Sequence, residues 1–375
     1  MHNNVNIMNN SYLYIDMNIF RENVNTILDS LPESTNLIPV LKDDAYGLGI
    51  ERIAEQAVKF DRVQCIAVSH VSEGLALRQS GIEKDILVMS SALPFQLPAA
   101  IDAHLTLASG SAEFVRALGA AAKERGRLAL VHIKIDTGLH RIGVEPGKEL
   151  AGLIDALHAS KHIIPTGVFS HFSNTADAGQ TKLQFERFMQ AVSQLESAGF
   201  KGLTRHISCS AASELYPEYA LDAVRAGRRL YMDSPDGTDH GIKELASWRT
   251  YVTAVKQRHA GDSLGYANEL RLDRDAVIAT LGIGYGDGLP REMCRMHAPV
   301  LIGGRECRLL ATCMDQCFAD VTGAGCKPGD EATVFGYDGF GNFISSQAQA
   351  ALINGSEGCG LTSALSPRVA RVYSE

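Results

Sequence analysis

A (β/α)8 barrel followed by a C-terminal antiparallel β domain is the α/β fold that this 375-residue sequence predicts. Three observations predict it. Short, continuously apolar runs alternate with helical patterns from about residue 36 to 235. The alternation stops near Ser234-Pro235-Asp236-Gly237, and the chain beyond is broken by Gly and Pro with little helical periodicity. A strand with one wet face would alternate polar and apolar residues, so uninterrupted apolar runs between helices mean parallel strands covered on both faces. The number of such units favours a closed barrel over an open sheet.

The elements follow in order. Residues 12–15 form a short apolar run ahead of the first barrel helix and are expected to pair with the second domain. Residues 36–41 (NLIPVL) read as a buried strand ending just before Lys42. Residues 65–68, 86–89, 128–135, 164–169 and 206–208 repeat the strand pattern, and residues 50–60, 71–79, 112–125 and 183–198 carry the helical one. The turn-rich segment to Gly241 reads as a linker. Beyond it, residues 250–255, 276–279, 300–301, 308–311 and 331–335 are the strands of the β domain. The expected division is 11–240 and 241–375, with the strand near 11–16 joining the second part.

Composition narrows the function classes. With 45% hydrophobic and 21% charged residues, the chain has the make-up of a soluble globular protein. A net charge of -8 and no basic run give nucleic acid no electrostatic foothold. No stretch approaches the roughly 18 apolar residues that would span a bilayer, and Met1 to Asn10 lacks the basic start and apolar run of a secretory signal. The eight cysteines are scattered without CxxC pairs, which suits reduced thiols in a cytoplasm. Cys313 and Cys317 are four apart but lack neighbouring partners for a metal. Neither nucleic acid, membrane nor metal is expected.

The chemistry begins at Lys42-Asp43-Asp44-Ala45-Tyr46-Gly47. A lysine at the C-terminal end of a buried parallel strand stands where barrel active sites are built. Burial would disfavour the charged form, which suits an amine that attacks a carbonyl; the alternative is a rim lysine paired with Asp43 or Asp44. Lys-x-x-Ala-Tyr-Gly resembles the cofactor-lysine motif of alanine racemases, whose usual wording is Lys-Ala-Asn-Ala-Tyr-Gly. Further segments resemble that family in the same order: Lys134-Ile135-Asp136-Thr137-Gly138-Leu139-His140-Arg141, Ser170-His171-Phe172-Ser173-Asn174, His206-Ile207-Ser208-Cys209-Ser210, Val224-Arg225-Ala226-Gly227, Ser263-Leu264-Gly265-Tyr266, Gly284-Tyr285-Gly286-Asp287-Gly288, Cys313-Met314-Asp315-Gln316 and Arg368-Val369-Ala370-Arg371. Each is weak alone; together they run nearly end to end.

The resemblance implies a pyridoxal-phosphate (PLP) dependent amino-acid racemase. Lys42 would hold the cofactor and act as one acid–base group, with Tyr266 as the other. Arg141 and His171 would supply the electrostatic setting that a phenol of ordinary pKa near 10 needs to act as a base. Arg225 would face the pyridine nitrogen, while Tyr46, Ser210, Gly227 and Arg228 would meet the phosphate and His171 would lie against the cofactor. Lys134 matches a position often carbamylated, where it orients Arg141. Met314 would offer a backbone amide to the substrate carboxylate, and Tyr285 and Asp315 would form and support the pocket entrance. A head-to-tail homodimer with shared sites is implied, because the family's second domain reaches the partner's barrel.

Read on their own, several of these residues keep plainer meanings. Tyr266 could be a half-buried tyrosine with a polar tip, Arg225 a surface arginine beside Arg228 and Arg229, and Lys134 the partner of Asp136. Three departures from the family pattern stand out. Cys209 replaces an asparagine beside the phosphate serine, Asp43-Asp44 adds negative charge beside the lysine, and Pro367 replaces a pocket-narrowing tyrosine. The last leaves room for a side chain larger than methyl, such as serine or a longer amino acid. The other readings are a PLP barrel decarboxylase or aldolase, which would carry an acid at the pyridine nitrogen, and a non-catalytic PLP-binding protein, which would lack the β domain.

Overall fold

The computed structural model describes residues 8–232, 241–353 and 358–375. The chain divides into two compact units. The first strand, β1 (Ser11–Ile15), belongs to the second of them. The expected linker before Gly241 and the 240/241 boundary fall on residues 233–240, outside the described residues.

The barrel unit takes in residues 24–45 and 50–230. Its strands are β2 (Asn36–Pro39), β3 (Cys65–Val68), β4 (Asp85–Val88), β5 (Thr106–Ser109), β6 (Ala129–Lys134), β7 (Ile163–Phe169), β8 (Thr204–His206) and β9 (Ala223–Ala226). From β3 to β8 the strands pair in sequence order and in parallel, and β2 pairs in parallel with β9. Single bridges at Val40–Ala67 and Cys209–Arg225 join the two sets, which closes the barrel.

The helices cover the barrel because their apolar residues recur at helical spacing. Ile50, Ile53, Ala54 and Ala57 are the buried face of the helix Ile50–Ala57, and Val115, Leu118, Gly119 and Ala122 that of Ala112–Glu124. Ser111 caps the latter by accepting the Phe114 N–H at 3.1 Å.

At Gly167 the barrel leaves no room for a side chain. A Cβ on Gly167 of β7 would lie 2.6 Å from the His132 ring of β6. The paired strands shift register between Val131 and His132, where this ring is accommodated.

The second unit gathers residues 8–23 and 46–49 with the described residues from 231 onward. Its strands continue as β10 (Ala246–Arg258), β11 (Ser263–Leu264), β12 (Leu270–Arg271), β13 (Ala276–Leu281), β14 (Pro299–Ile302), β15 (Arg305–Thr312), β16 (Cys317–Asp320), β17 (Glu331–Tyr337), β18 (Phe343–Ile344) and β19 (Ala370–Tyr373). The order β17-β14-β15-β16-β13-β10 is antiparallel throughout, and β10 also pairs with β17, so these strands form a closed ring. β1 extends it antiparallel to β10, and β19 joins β1 in parallel. Trp248 and Phe335, both fully buried with ring centroids 5.9 Å apart, anchor its core.

Candidate active site

In the barrel unit, chemistry-bearing side chains collect at the C-terminal ends of the strands. Lys42 follows β2, Lys134 ends β6, His171 follows β7, Ser210 follows β8 and Arg225 lies within β9. This is the end at which barrels build their sites, because the loops leaving it are free of the fold's packing demands.

Lys42 opens a turn with an unusual backbone. Asp43, Asp44, Ala45 and Tyr46 have φ of 58°, 53°, 53° and 59°, a left-handed helical turn. Each L-residue held there costs about 1–2 kcal/mol, so the surroundings must enforce it. Glu73 does so from one side, with Oε1 accepting the Asp43 N–H at 2.5 Å and Oε2 accepting the Ser69 and His70 N–H groups at 2.8 Å. The Asp44 carboxylate accepts the Ile50 N–H at 2.8 Å. Aspartate tolerates left-handed backbone better than most residues, so this part of the Asp43-Asp44 departure has a structural reason.

Arg225 is no surface arginine; it is 4% exposed, inside the barrel. Its Nη1 donates to His206 Nδ1 at 2.8 Å and to the His206 carbonyl at 2.9 Å. Its Nη2 reaches the Ser170 carbonyl at 2.7 Å, the Ile207 carbonyl at 3.1 Å and His171 Nδ1 at 3.1 Å. The Nε has no acceptor among the described residues. Burial lowers its pKa to about 10, still well above neutrality.

Because a guanidinium only donates, the nitrogens facing it must accept. The neutral His171 therefore carries its proton on Nε2, and so does His206, which passes a 2.9 Å hydrogen bond to His132 Nδ1. Burial first, and then the Arg225 charge, pushes His132 down to about 4. Burial followed by Arg225, Lys134, Arg141 and Lys42 takes His171 to about 2. His206 is likewise held well below 6.5.

These shifts set a pH dependence. Each histidine binds a proton near pH 6.5 when unfolded and only far lower when folded, so stability is full above pH 6.5 and falls as pH drops toward 4. His132 alone accounts for about 3 kcal/mol across that window. Denaturant titrations at pH 7 and pH 4.5 should differ by at least this order; equal stabilities would contradict the buried neutral network.

Lys134 is 3% exposed and pairs with no carboxylate among the described residues. Asp136 Oδ1 is occupied by the N–H groups of Gly138, Leu139 and His140 at 2.9–3.1 Å. The Lys134 Nζ stands 4.8 Å from the Phe169 ring centre. Burial, then Arg225 and Arg141, holds its pKa well below 10.5. Arg141 itself is exposed on the loop after β6, close enough to act electrostatically on Lys134, His171 and Arg225. Across the barrel mouth, Ser210 Oγ accepts the Gly227 N–H at 3.3 Å, and Arg228 begins the turn Arg228–Leu230. Cys209 precedes Ser210 and gives the following helix no side-chain cap.

The remaining candidate residues belong to the second unit. Tyr46 tilts against Tyr231 with ring centroids 5.2 Å apart. Tyr266 is 67% exposed on a turn between β11 and β12. That turn is shaped by Gly265 at φ 78°, Ala267 at 55° and Asn268 at 54°. Tyr285 starts a short turn, with the Arg291 guanidinium 4.1 Å over its ring. Met314 and Asp315 lie on the turn between β15 and β16, both exposed. Tyr285 and Met314 are neighbours, since the Tyr285 N–H donates to the Cys313 carbonyl at 3.1 Å and the Gly286 N–H to that of Met314 at 2.8 Å.

Residues 15–235 match the family model for the alanine racemase N-terminal domain, and residues 245–373 match that for its C-terminal domain. The chain belongs to the alanine racemase family. That is a family of isomerases. An alanine racemase of Symbiobacterium thermophilum is 34% identical over 382 residues, 98% of this chain and 97% of the relative. One from Geobacter sulfurreducens is 31% identical over 369 residues, 96% of each. Among solved structures, the alanine racemase of Clostridium difficile 630 superposes with a TM-score of 0.91 at 29% identity, over 98% of this chain and 97% of that one. That of Streptomyces lavendulae gives 0.91 at 28%, over 98% of both.

For a member of the alanine racemase family, sequence reasoning still missed three supports: Glu73 behind the left-handed turn, and His132 and His206 behind Arg225. A histidine inside the apolar run ALVHIK was a readable signal, since a buried polar side chain needs a partner. Glu73 gave none.

Proposed function

We propose that this protein is a PLP-dependent amino-acid racemase in which Lys42 and Tyr266 are the two acid–base groups. The observation that carries the reading is the buried Arg225, ringed by acceptors on both Nη atoms with Nε left over, at the same strand ends as Lys42 and Ser210. This donor set fits the cofactor. Arg225 Nε would donate to the pyridine nitrogen, which must then accept and stay unprotonated. Ser210 Oγ, the Gly227 and Arg228 amides and the Tyr46 hydroxyl would hold the phosphate, and Lys42 would bind the cofactor covalently. A carboxylate in place of Arg225 would have favoured a decarboxylase or aldolase.

The chemistry that PLP supplies when bound is delocalisation of the electron pair left at Cα. Everything else falls to the chain. The Lys42 amine would exchange the α-proton on one face of the substrate and the Tyr266 phenol on the other, so inversion needs no rotation of the bound amino acid. Arg141 and His171 would lower the cost of ionising the phenol, and Arg141 with the Met314 amide would hold the substrate carboxylate. Tyr285 and Asp315 would form the entrance. Burial favours the uncharged amine of Lys134, the form that attacks carbon dioxide; adding CO2 and losing a proton would give a carbamate that pairs with Arg141. The exposure of Tyr266 and Met314 supports a homodimer in which each copy lends them to the other. The free cysteines support a cytoplasmic setting.

Pro367 extends the proposal to a substrate larger than alanine. Purified protein loaded with PLP and assayed by chiral chromatography should racemise L-alanine and at least one of serine and lysine, with kcat/KM for the larger substrate equal to or above that for alanine. A clear preference for alanine would remove the extension; no racemisation across the whole panel would remove the function.

A further inference from the structure

We infer that Arg368 is a positioning residue that fixes the three segments bearing Tyr285, Met314 and Pro367; the inference rests on the racemase reading above. The geometry is a fork. Arg368 forms two ion pairs, with Nε 2.9 Å from Asp287 Oδ1 and Nη1 2.8 Å from Asp315 Oδ1. One planar cation thereby spans two turns with two different nitrogens, which the single ammonium of a lysine cannot do.

Each turn so held carries a residue proposed for the pocket. Asp287 is almost fully buried, and its Oδ2 accepts the Gly284 N–H at 2.8 Å, which winds the backbone of the Tyr285 turn. That turn lies back to back with residues 313–316. A Cβ on Gly284 would stand 2.3 Å from the Met314 carbonyl, and the Gly286 N–H donates to the same oxygen at 2.8 Å. Asp315, at the far side of Met314, receives the second arm of Arg368.

The third segment is the arginine's own. The Ser366 N–H donates to the Asp287 carbonyl at 3.1 Å, and the Val369 N–H closes a turn onto the Ser366 carbonyl at 3.0 Å. Pro367 thus sits between two anchors on Asp287, one through backbone and one through the guanidinium. A pocket wall that has lost an aromatic ring is kept in place by its attachment rather than by its bulk.

The arm to the buried Asp287 also serves the fold, but stability is a poor explanation for the arm to Asp315. The Arg368 and Asp315 side chains are 51% and 58% exposed, and ion pairs so open to water add little to folding. What the pair changes is where the Met314 amide and the Tyr285 ring stand, and small displacements of substrate-positioning groups cost binding and rate steeply.

The test is steady-state racemisation by the PLP-loaded protein, three single variants and one double variant, with the melting temperature recorded for each. Arg368→Ala should raise KM about tenfold while kcat changes by less than about threefold, the pattern of lost substrate positioning. Arg368→Lys should recover part of the KM. Asp315→Asn, at an exposed position where folding is not at risk, should raise KM about threefold and add nothing further to Arg368→Ala, since both break one link. A wild type that racemises no amino acid overturns the functional reading and this inference with it. An active wild type with KM unchanged in Arg368→Ala, or in Asp315→Asn should the first fail to fold, overturns the positioning role alone. So does a fall in melting temperature without a KM shift.

Discussion

Lys42→Ala is expected to abolish racemisation, with kcat down by at least about 10⁴-fold, because on the proposed mechanism it would remove a general base and the covalent hold on the cofactor together. The fold should survive. Lys42 lies beyond the barrel strand, and Glu73 and Asp44 hold the turn after it. Arg225, Ser210 and Gly227 would still bind PLP noncovalently, so the variant should keep the cofactor but lose the visible absorbance of its lysine-linked form. A small primary amine in the buffer should restore part of the exchange. Chiral chromatography with the absorbance spectrum checks this; a variant retaining a tenth of the wild-type rate would remove Lys42 from its assigned role.

Tyr266→Phe should have the second largest effect, and an asymmetric one. Only the hydroxyl is lost, from a side chain that is 67% exposed, so stability should hardly move. Interconversion should fall by about 10²–10⁴-fold, the usual contribution of one positioned acid–base group. In deuterated water, however, α-proton exchange should persist for the enantiomer whose proton faces Lys42 and vanish for the other. Equal loss of exchange from both enantiomers, or an unchanged rate of inversion, would show that the phenol is not the opposite base.

The barrel was legible where its strands are largely apolar. CIAV and DILV fall within a residue of the expected runs. β5 and β9 are hard to read because TLAS and AVRA are short and carry buried polar residues, Thr106, Ser109 and Arg225, that break an apolar pattern without ending the strand. The helix Ala178–Ser197 begins five residues before its apolar stripe, at the Asp177 cap, whose side chain accepts the Gln180 N–H at 2.9 Å. The helix Lys148–Ala159 was not assigned at all.

In the second unit, β10 runs from Ala246 to Arg258, much longer than its expected core of 250–255. Its first half is sandwiched between β1 and β17 and buried on both faces, so Ser247, Arg249 and Thr250 interrupt an apolar pattern without ending the strand. The candidate site was legible only through its motifs. Arg225 has no local signature that separates a buried guanidinium from a surface one; its hydrogen bonds come from residues 170, 171, 206 and 207, which only the closed barrel brings together. The left-handed turn at 43–46 is equally nonlocal, since Glu73 from the next barrel unit holds it.

The most direct measurement of the central proposal follows the α-hydrogen itself. The wild-type protein, loaded with PLP, is given an α-protiated L-amino acid in deuterated water, and the D-product is analysed by mass spectrometry in the first few per cent of reaction. Two bases on opposite faces predict a product carrying deuterium at Cα from the start. A D-product that mostly keeps the original hydrogen would mean one group serving both faces, and the pairing of Lys42 with Tyr266 would have to be given up.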